Sequence, residues 1–304
     1  MSGAAQPAAL AGAGVRVGAE ALIAERAAAL RALGGAGPVS ALPGGFAVRK
    51  RGQGQVIADS RPYIQGDEMR HVDRGATART GTLHVRTFHE ERDRVSFLVA
   101  DFRPSMLWGM RRALRSVAAA EALAYLGWQA VESGGRVGLL ALTAGETVVL
   151  RSRGRLRGML AVIGGLVRAH DRALAEARRA AETGIASADP PLDAMLTGLG
   201  RIVPRGASVI VASALDSRGA GFEAALGRLA QHRTPRFVLI EDAALQDLPA
   251  GHYPIRTPDG RRLGAVLSGQ GAPAPRDPGI GPYEVIRVDA GRPAREALAR
   301  AARG

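Results

Sequence analysis

From Arg94 onward, short apolar runs alternate with longer amphipathic stretches. Val95–Ala100 is nearly unbroken apolar sequence, the pattern of a strand covered on both sheet faces. Ser208–Ala212, Phe237–Glu241 and Tyr283–Val288 read as further strands. Val137–Leu142 and Thr147–Arg151 are joined by Ala144-Gly145-Glu146 and read as a hairpin, as does Tyr253–Leu267 around Pro258-Asp259-Gly260. Helical spacing predicts helices over Met110–Glu132, Leu156–His170, Leu192–Ile202, Phe222–His232 and Ala294–Ala302. Ala173–Glu182 either extends the second of these or forms another. Leu114, Val117, Ala118, Leu123 and Leu126 form one apolar stripe; Met159, Leu160, Ile163 and Val167 form a second. The alternation implies an α/β fold, a mostly parallel doubly wound sheet between helix layers.

Before Arg94 the texture differs. Met1–Ala19 is rich in Ala and Gly without a stable period and reads as a tail. Ala19–Leu33 predicts a helix with Leu22, Ile23, Arg26, Leu30 and Leu33 at helical spacing, stopped by Gly34-Gly35. Gly37–Phe46, with Pro38, Pro43 and Gly44-Gly45, reads as a linker. Leu83–Phe88 alternates apolar and polar positions at period two, a half-buried strand, and Val56-Ile57 marks the start of another. The chain therefore divides into a tail and helix over 1–45, a small β-rich segment over 46–93, and an α/β domain over 94–304.

Composition narrows the chemistry. The 304 residues carry a formal charge of +13, and Lys50 is the one lysine, so the basic side is almost wholly arginine. No aromatics interleave with these arginines as a single-strand platform requires, and nucleic acid is not the expected partner. With no cysteine, disulfides, thiolate metal sites and cysteine nucleophiles are excluded. No apolar segment approaches bilayer-spanning length, and the N-terminus lacks a basic start followed by an apolar run. These features fit a cytoplasmic protein. There is no Gly-Lys-Ser/Thr phosphate loop and no Gly-x-Ser-x-Gly elbow. Gly12-Ala13-Gly14 has no strand before it.

The stretch Arg94–Met106 concentrates the remaining interest. A strand runs directly into Asp101, with Arg103 and Ser105 following, at the sheet edge where α/β proteins place ligands. Asp and Ser oxygens suit a divalent cation, but Arg103 stands between them. Asp101 is expected to cap the following helix or to pair with Arg103, rather than to hold metal.

Arg61-Pro62-Tyr63, Gly66-Asp67, Arg70, Asp73, Ala76-Thr77-Ala78-Arg79 and Leu83-His84-Val85-Arg86 fall at a recognisable spacing. From these residues the chain resembles the family named domain of unknown function 58, over roughly Gly52 to the C-terminus. The strand with Asp101 and Ser105 resembles the von Willebrand factor A domain of that family. The resemblance implies an A-type sandwich and, as partner, a MoxR-type AAA+ ATPase. Two departures stand out. Arg74 occupies a position where the family usually has Trp. In the metal-ion-dependent adhesion site, Arg103 replaces a small hydroxyl and Ala214 replaces an Asp, with Asp216 two residues late. Ser213 and Asp216 complete the set of degenerate metal-site positions. The loop before Leu192 holds no threonine.

Arg61, Tyr63, Asp67, Arg70, Asp73, Arg79 and Arg86 form either a structural charge network or a partner surface; both can hold together. His84 and His89 point to opposite faces and do not make a joint ligand pair. The expectation is a non-catalytic protein-interaction module with no catalytic residues, no cofactor and at most weakly held magnesium. It works with a MoxR-type ATPase in assembly or maturation of another protein. A magnesium-dependent adhesion module and a basic nucleic-acid binder are the alternatives. Oligomeric state is left open.

Overall fold

The computed structural model describes residues 14–35, 51–65, 67–89, 94–184, 188–245, 247–256, 262–267 and 279–301. The tail before residue 14, the predicted linker and the turn of the last hairpin lie outside them. The chain forms two compact units, Gly44–Arg94 and the combination of Met1–Pro43 with Val95–Gly304.

The smaller unit pairs β1 (Arg51–Pro62) antiparallel with β2 (His84–His89). Between them lies α2 (Arg74–Thr80), a helix that the mixed texture of this segment hides. Its start is fixed by Asp73, whose Oδ1 accepts the Gly75 and Ala76 amides at 3.0 Å. Its end is set by Gly81, at φ 71°, in the left-handed conformation that suits glycine.

The larger unit begins with α1 (Ala19–Gly35) and centres on β3 (Val95–Asp101). After it come α3 (Arg115–Glu132), β4 (Arg136–Leu142), β5 (Val148–Gly154), α4 (Arg155–Thr183) and α5 (Leu192–Ile202). The chain continues through β6 (Ser208–Ser213), α6 (Phe222–Ala230) and β7 (Thr234–Glu241). A hairpin of β8 (Gly251–Arg256) and β9 (Arg262–Leu267) precedes β10 (Glu284–Asp289) and α7 (Ala294–Ala301).

Six strands make one mixed, mostly parallel sheet in the order β10-β7-β6-β3-β4-β5, with β5 antiparallel at one edge. Side chains of β3 alternate between two cores. Leu98 and Ala100 pack on one face with α1, α3, α4 and α7; Phe97 and Val99 pack on the other with α5 and α6. The layers sit close. A Cβ at Gly165 of α4 would lie 2.7 Å from the side-chain ends of Leu139 and Leu150, so a larger residue there would make these leucines shift.

Several expectations change. Helix α1 belongs to the larger unit rather than forming a separate N-terminal part. It buries Leu22, Glu25 and Ala29 while Ile23 and Leu30 are exposed. Helix α3 begins at Arg115, not Met110, because the intervening chain turns back and the Arg115 amide donates to Trp108 O. Helix α4 is continuous through Gly164-Gly165. Leu160 is exposed, and the buried stripe of α4 runs through Met159, Val162, Ile163 and Leu166.

Candidate functional site

Parallel strands expose their carboxyl ends along one sheet edge, and β3 delivers Asp101 there. Asp101 is 1% exposed, and each of its oxygens receives two hydrogen bonds. Oδ1 accepts from the Arg103 amide at 3.1 Å and Arg103 Nε at 2.9 Å. Oδ2 accepts from Arg103 Nη2 at 2.8 Å and from the Ser213 hydroxyl at 2.6 Å. The backbone between them is extended at Arg103, so the side chain folds back onto Asp101. A single 3₁₀ turn, Pro104–Met106, follows.

The guanidinium of Arg103 is as buried as its partner, at 1% exposure. Beyond Asp101 it donates from Nη1 to Pro190 O at 2.5 Å and to Ser217 O at 3.3 Å, and from Nη2 to Asp216 O at 2.8 Å. A guanidinium has five N–H donors, and these contacts engage all five. Burial works to lower the Arg103 pKa. Hydrogen bonding and charge from Asp101, with the charges of Asp189 and Asp216, outweigh it and hold the group above its usual value. The result is a buried cation inside a ring of five oxygens.

The loops supplying those oxygens are shaped for the task. Leu215 and Ser217, at φ 60° and 48°, turn the chain after β6 so that consecutive carbonyls face inward. The Ser213 hydroxyl, while donating to Asp101, accepts the Leu215 amide at 2.8 Å. The loop packs against the start of α5 through Gly219, at φ 86°, and a Cβ there would fall 2.4 Å from the Asp193 carboxylate. Asp193 Oδ2 in turn accepts the Gly221 amide at 3.0 Å.

The five positions that the sequence singled out around this strand end thus play unequal parts. Asp101, Arg103 and Ser213 meet directly. Asp216 joins through its backbone carbonyl; its carboxylate turns outward to Arg115 Nη1 at 3.3 Å. Arg115 also lies over the Trp108 ring, 4.8 Å from its centroid, so Trp108 stacks on a guanidinium at the rim. Ser105 stays outside the ring. Its amide donates to Asp189 Oδ1 at 3.0 Å, and its hydroxyl is buried with no hydrogen-bond partner among the described residues. Asp189 is the residue that sequence reasoning missed. Its Oδ2 lies 4.0 Å from Arg103 Nη1, giving the guanidinium a second carboxylate neighbour. The signal was a lone acid just before Pro190-Pro191.

A divalent cation does not fit this arrangement. Magnesium needs octahedral oxygen ligands and gives up water reluctantly. Here both Asp101 oxygens and three carbonyls already face a fixed positive charge. Among the described residues no three His, Asp or Glu side chains converge as metal ligands.

In the smaller unit, Arg61 and Asp67 form a bidentate pair, each N···O distance 2.6 Å. Asp67 Oδ2 also accepts the Ile64 amide at 2.9 Å, and the Tyr63 amide donates to Leu83 O at 2.7 Å. Hydrogen bonding to Asp67 raises the Arg61 pKa. Asp73 caps α2, and Arg79 is exposed in its last turn. The backbone places Arg86 opposite Ser60. Arg70 lies in a 3₁₀ turn, Met69–His71. The side chains of Arg70 and Arg86 lie outside what is described.

Compared with known proteins, residues 59–266, more than half of the chain, match the family model described as "Protein of unknown function DUF58". No curated protein matches. Two solved structures are similar at low identity. One is a conserved hypothetical protein BatB from Bacteroides thetaiotaomicron, 14% identical, covering 68% of this chain and 96% of its own, with a TM-score of 0.43. The other is an aerotolerance-related membrane protein from Bacteroides fragilis, 13% identical, covering 69% and 98%, with a TM-score of 0.42. Among the described residues no helix is long and apolar enough to cross a membrane.

Proposed function

We propose that this chain, which belongs to the DUF58 family, is a non-catalytic protein-interaction module of von Willebrand factor A type. In it the Arg103 guanidinium does the structural work of a divalent cation. It acts in the cytoplasm with a MoxR-type AAA+ ATPase in assembly or maturation of another protein. The sheet order, with one antiparallel edge strand beside five parallel ones, supports the A-type reading. The observation behind the non-catalytic reading is the saturated ring around Arg103. Asp101 and Arg103 have their oxygens and N–H groups engaged with each other and with fixed loops. Neither is free to move a proton or hold a substrate. The ring instead fixes the loops at the carboxyl edge as one rigid surface, with Trp108 and Arg115 on its rim.

Calorimetric titration of the full chain with magnesium tests the built-in cation. No saturable heat is expected at millimolar metal. Tight binding that disappears in Asp101→Asn would overturn the reading. Co-purification with a MoxR-type ATPase tests the partner. A folded chain that fails to associate removes that part of the proposal.

A further inference from the structure

Away from the carboxyl edge, an open cavity of about 620 Å³ lies between α1 and α7. That volume falls within the range of ligand pockets, about 300–1,000 Å³. Arg31 reaches it from α1; Arg292, Arg295 and Arg300 reach it from the α7 side. Glu296 is the one acid in its lining. Arg295 is held by Glu25 at 2.9 Å, and Arg300 Nε donates to Glu296 O at 3.1 Å. The exposed Arg31 and Arg292 side chains make no hydrogen bond or ion pair among the described residues. Between the arginines the wall is Ala28, Ala32 and Ala299, with the edge of buried Tyr125 at the floor.

We propose that this groove docks an acidic segment of a partner protein. Small alanines leave room for a peptide backbone, and the uncompensated guanidiniums call for negative charge. The spacing favours several carboxylates in a row over a single phosphate. Arg295 and Arg300 are five residues apart on α7, about 7.5 Å along its axis, and Arg292 precedes both. Five residues also turn an α-helix by about 140°, so Arg295 and Arg300 leave α7 in different directions, and acids at intervals along a chain match them better than one phosphate. The inference does not rest on the carboxyl-edge reading, and its failure leaves that reading untouched.

The test is fluorescence anisotropy of the full chain with a short labelled peptide of alternating Glu and Ala, at low ionic strength. Saturable binding is expected, weakening as salt is added. The double variant Arg31→Ala/Arg292→Ala should lose about tenfold in affinity. Arg151→Ala/Arg153→Ala, exposed on β5, serves as the charge control and should lose less than about twofold. Circular dichroism checks that both variants are folded. The proposal is overturned by any of three results: no saturable binding, equal loss in the two double variants, or binding of inorganic triphosphate as tight as that of the peptide. Equal binding of a Gln-Ala peptide would also overturn it, since carboxylates would then not be what is read.

Discussion

A guanidinium can be buried at a sheet edge only if its whole donor fork is matched, and Arg103 meets that condition. Removing either member of a buried pair leaves an uncompensated charge, at a cost of about 3–5 kcal/mol. Arg103→Met strands Asp101, which keeps only the Ser213 hydroxyl and one amide. Asp101→Asn takes the paired carboxylate from the guanidinium and leaves it Asp189 at 4.0 Å. Both should lower the denaturation midpoint by a comparable amount in urea or guanidinium titration. Arg103→Lys should rescue little, because an ammonium has three donors and no planar fork. A loss below about 1 kcal/mol in Arg103→Met would mean that the ring is not a stabilising unit. The sequence displayed Asp101 and Arg103 two residues apart, so their pairing was legible. The other acceptors were not. Pro190, Asp216 and Ser217 contribute carbonyls from 87 to 114 residues away, and a carbonyl leaves no mark in residue type. Asp216 misled for the same reason. Its side chain suggested a late ligand, while its backbone does the binding.

The secondary elements were easier to read than their junctions. Strands β3, β6 and β7 announce themselves because burial on both faces excludes polar residues. Helix α2 was hidden because its seven residues expose most of their surface, leaving Ala76 as the one buried position and no periodic stripe to detect. The join between α3 and α4 contains a group that no pattern revealed. His170 is fully buried in α4, 2.9 Å from the Ser116 hydroxyl of α3 and edge-to-face with Phe102, beside Asp101. Burial, opposed by Asp171 and reinforced by Arg16, pushes its pKa down to about 4. The folded protein therefore holds it neutral, while the unfolded chain protonates near 6.5. The unfolded state binds the extra proton between those values. Stability contributed by the neutral ring is full above about 6.5 and falls away as pH drops toward about 4, by about 3 kcal/mol in total. His170→Gln should flatten that slope while retaining a partner for Ser116. The check is the unfolding free energy of both proteins at intervals across this window; parallel slopes would assign the pH dependence to carboxylates instead.

At the scale of the molecule, the chain is discontinuous in a way that linear reading obscured. The segment Gly44–Arg94 interrupts the larger unit, so α1 folds with sheet elements that begin sixty residues after it ends. Helix α1 is therefore a structural layer rather than an appendage. Its Leu22 carbonyl accepts the Trp128 indole N–H at 2.9 Å, and Arg26 lies over the Trp128 ring, 5.3 Å from the centroid. Arg26 also pairs with Glu132 at 2.7 Å, and Glu25 with Arg295 at 2.9 Å. The sequence predicted the helix, and of the residues it placed at helical spacing Leu22 is buried while Ile23 and Leu30 are not. Ile23 and Leu30 looked apolar, whereas the buried line uses Ala29 and a paired acid, Glu25. Deleting residues 1–35 should uncover Trp128 and the α3 surface around it. Burying a large apolar side chain is worth about 1.5–3 kcal/mol; the deletion removes the buried Leu22 and strips the cover from Trp128, so a loss of at least about 3 kcal/mol is expected. In a Trp108→Phe background Trp128 is the sole tryptophan, since the chain has two. Its emission should move to the red on deletion, and the thermal midpoint should fall. An unshifted spectrum with an unchanged midpoint would show that α1 rests on the domain without completing it.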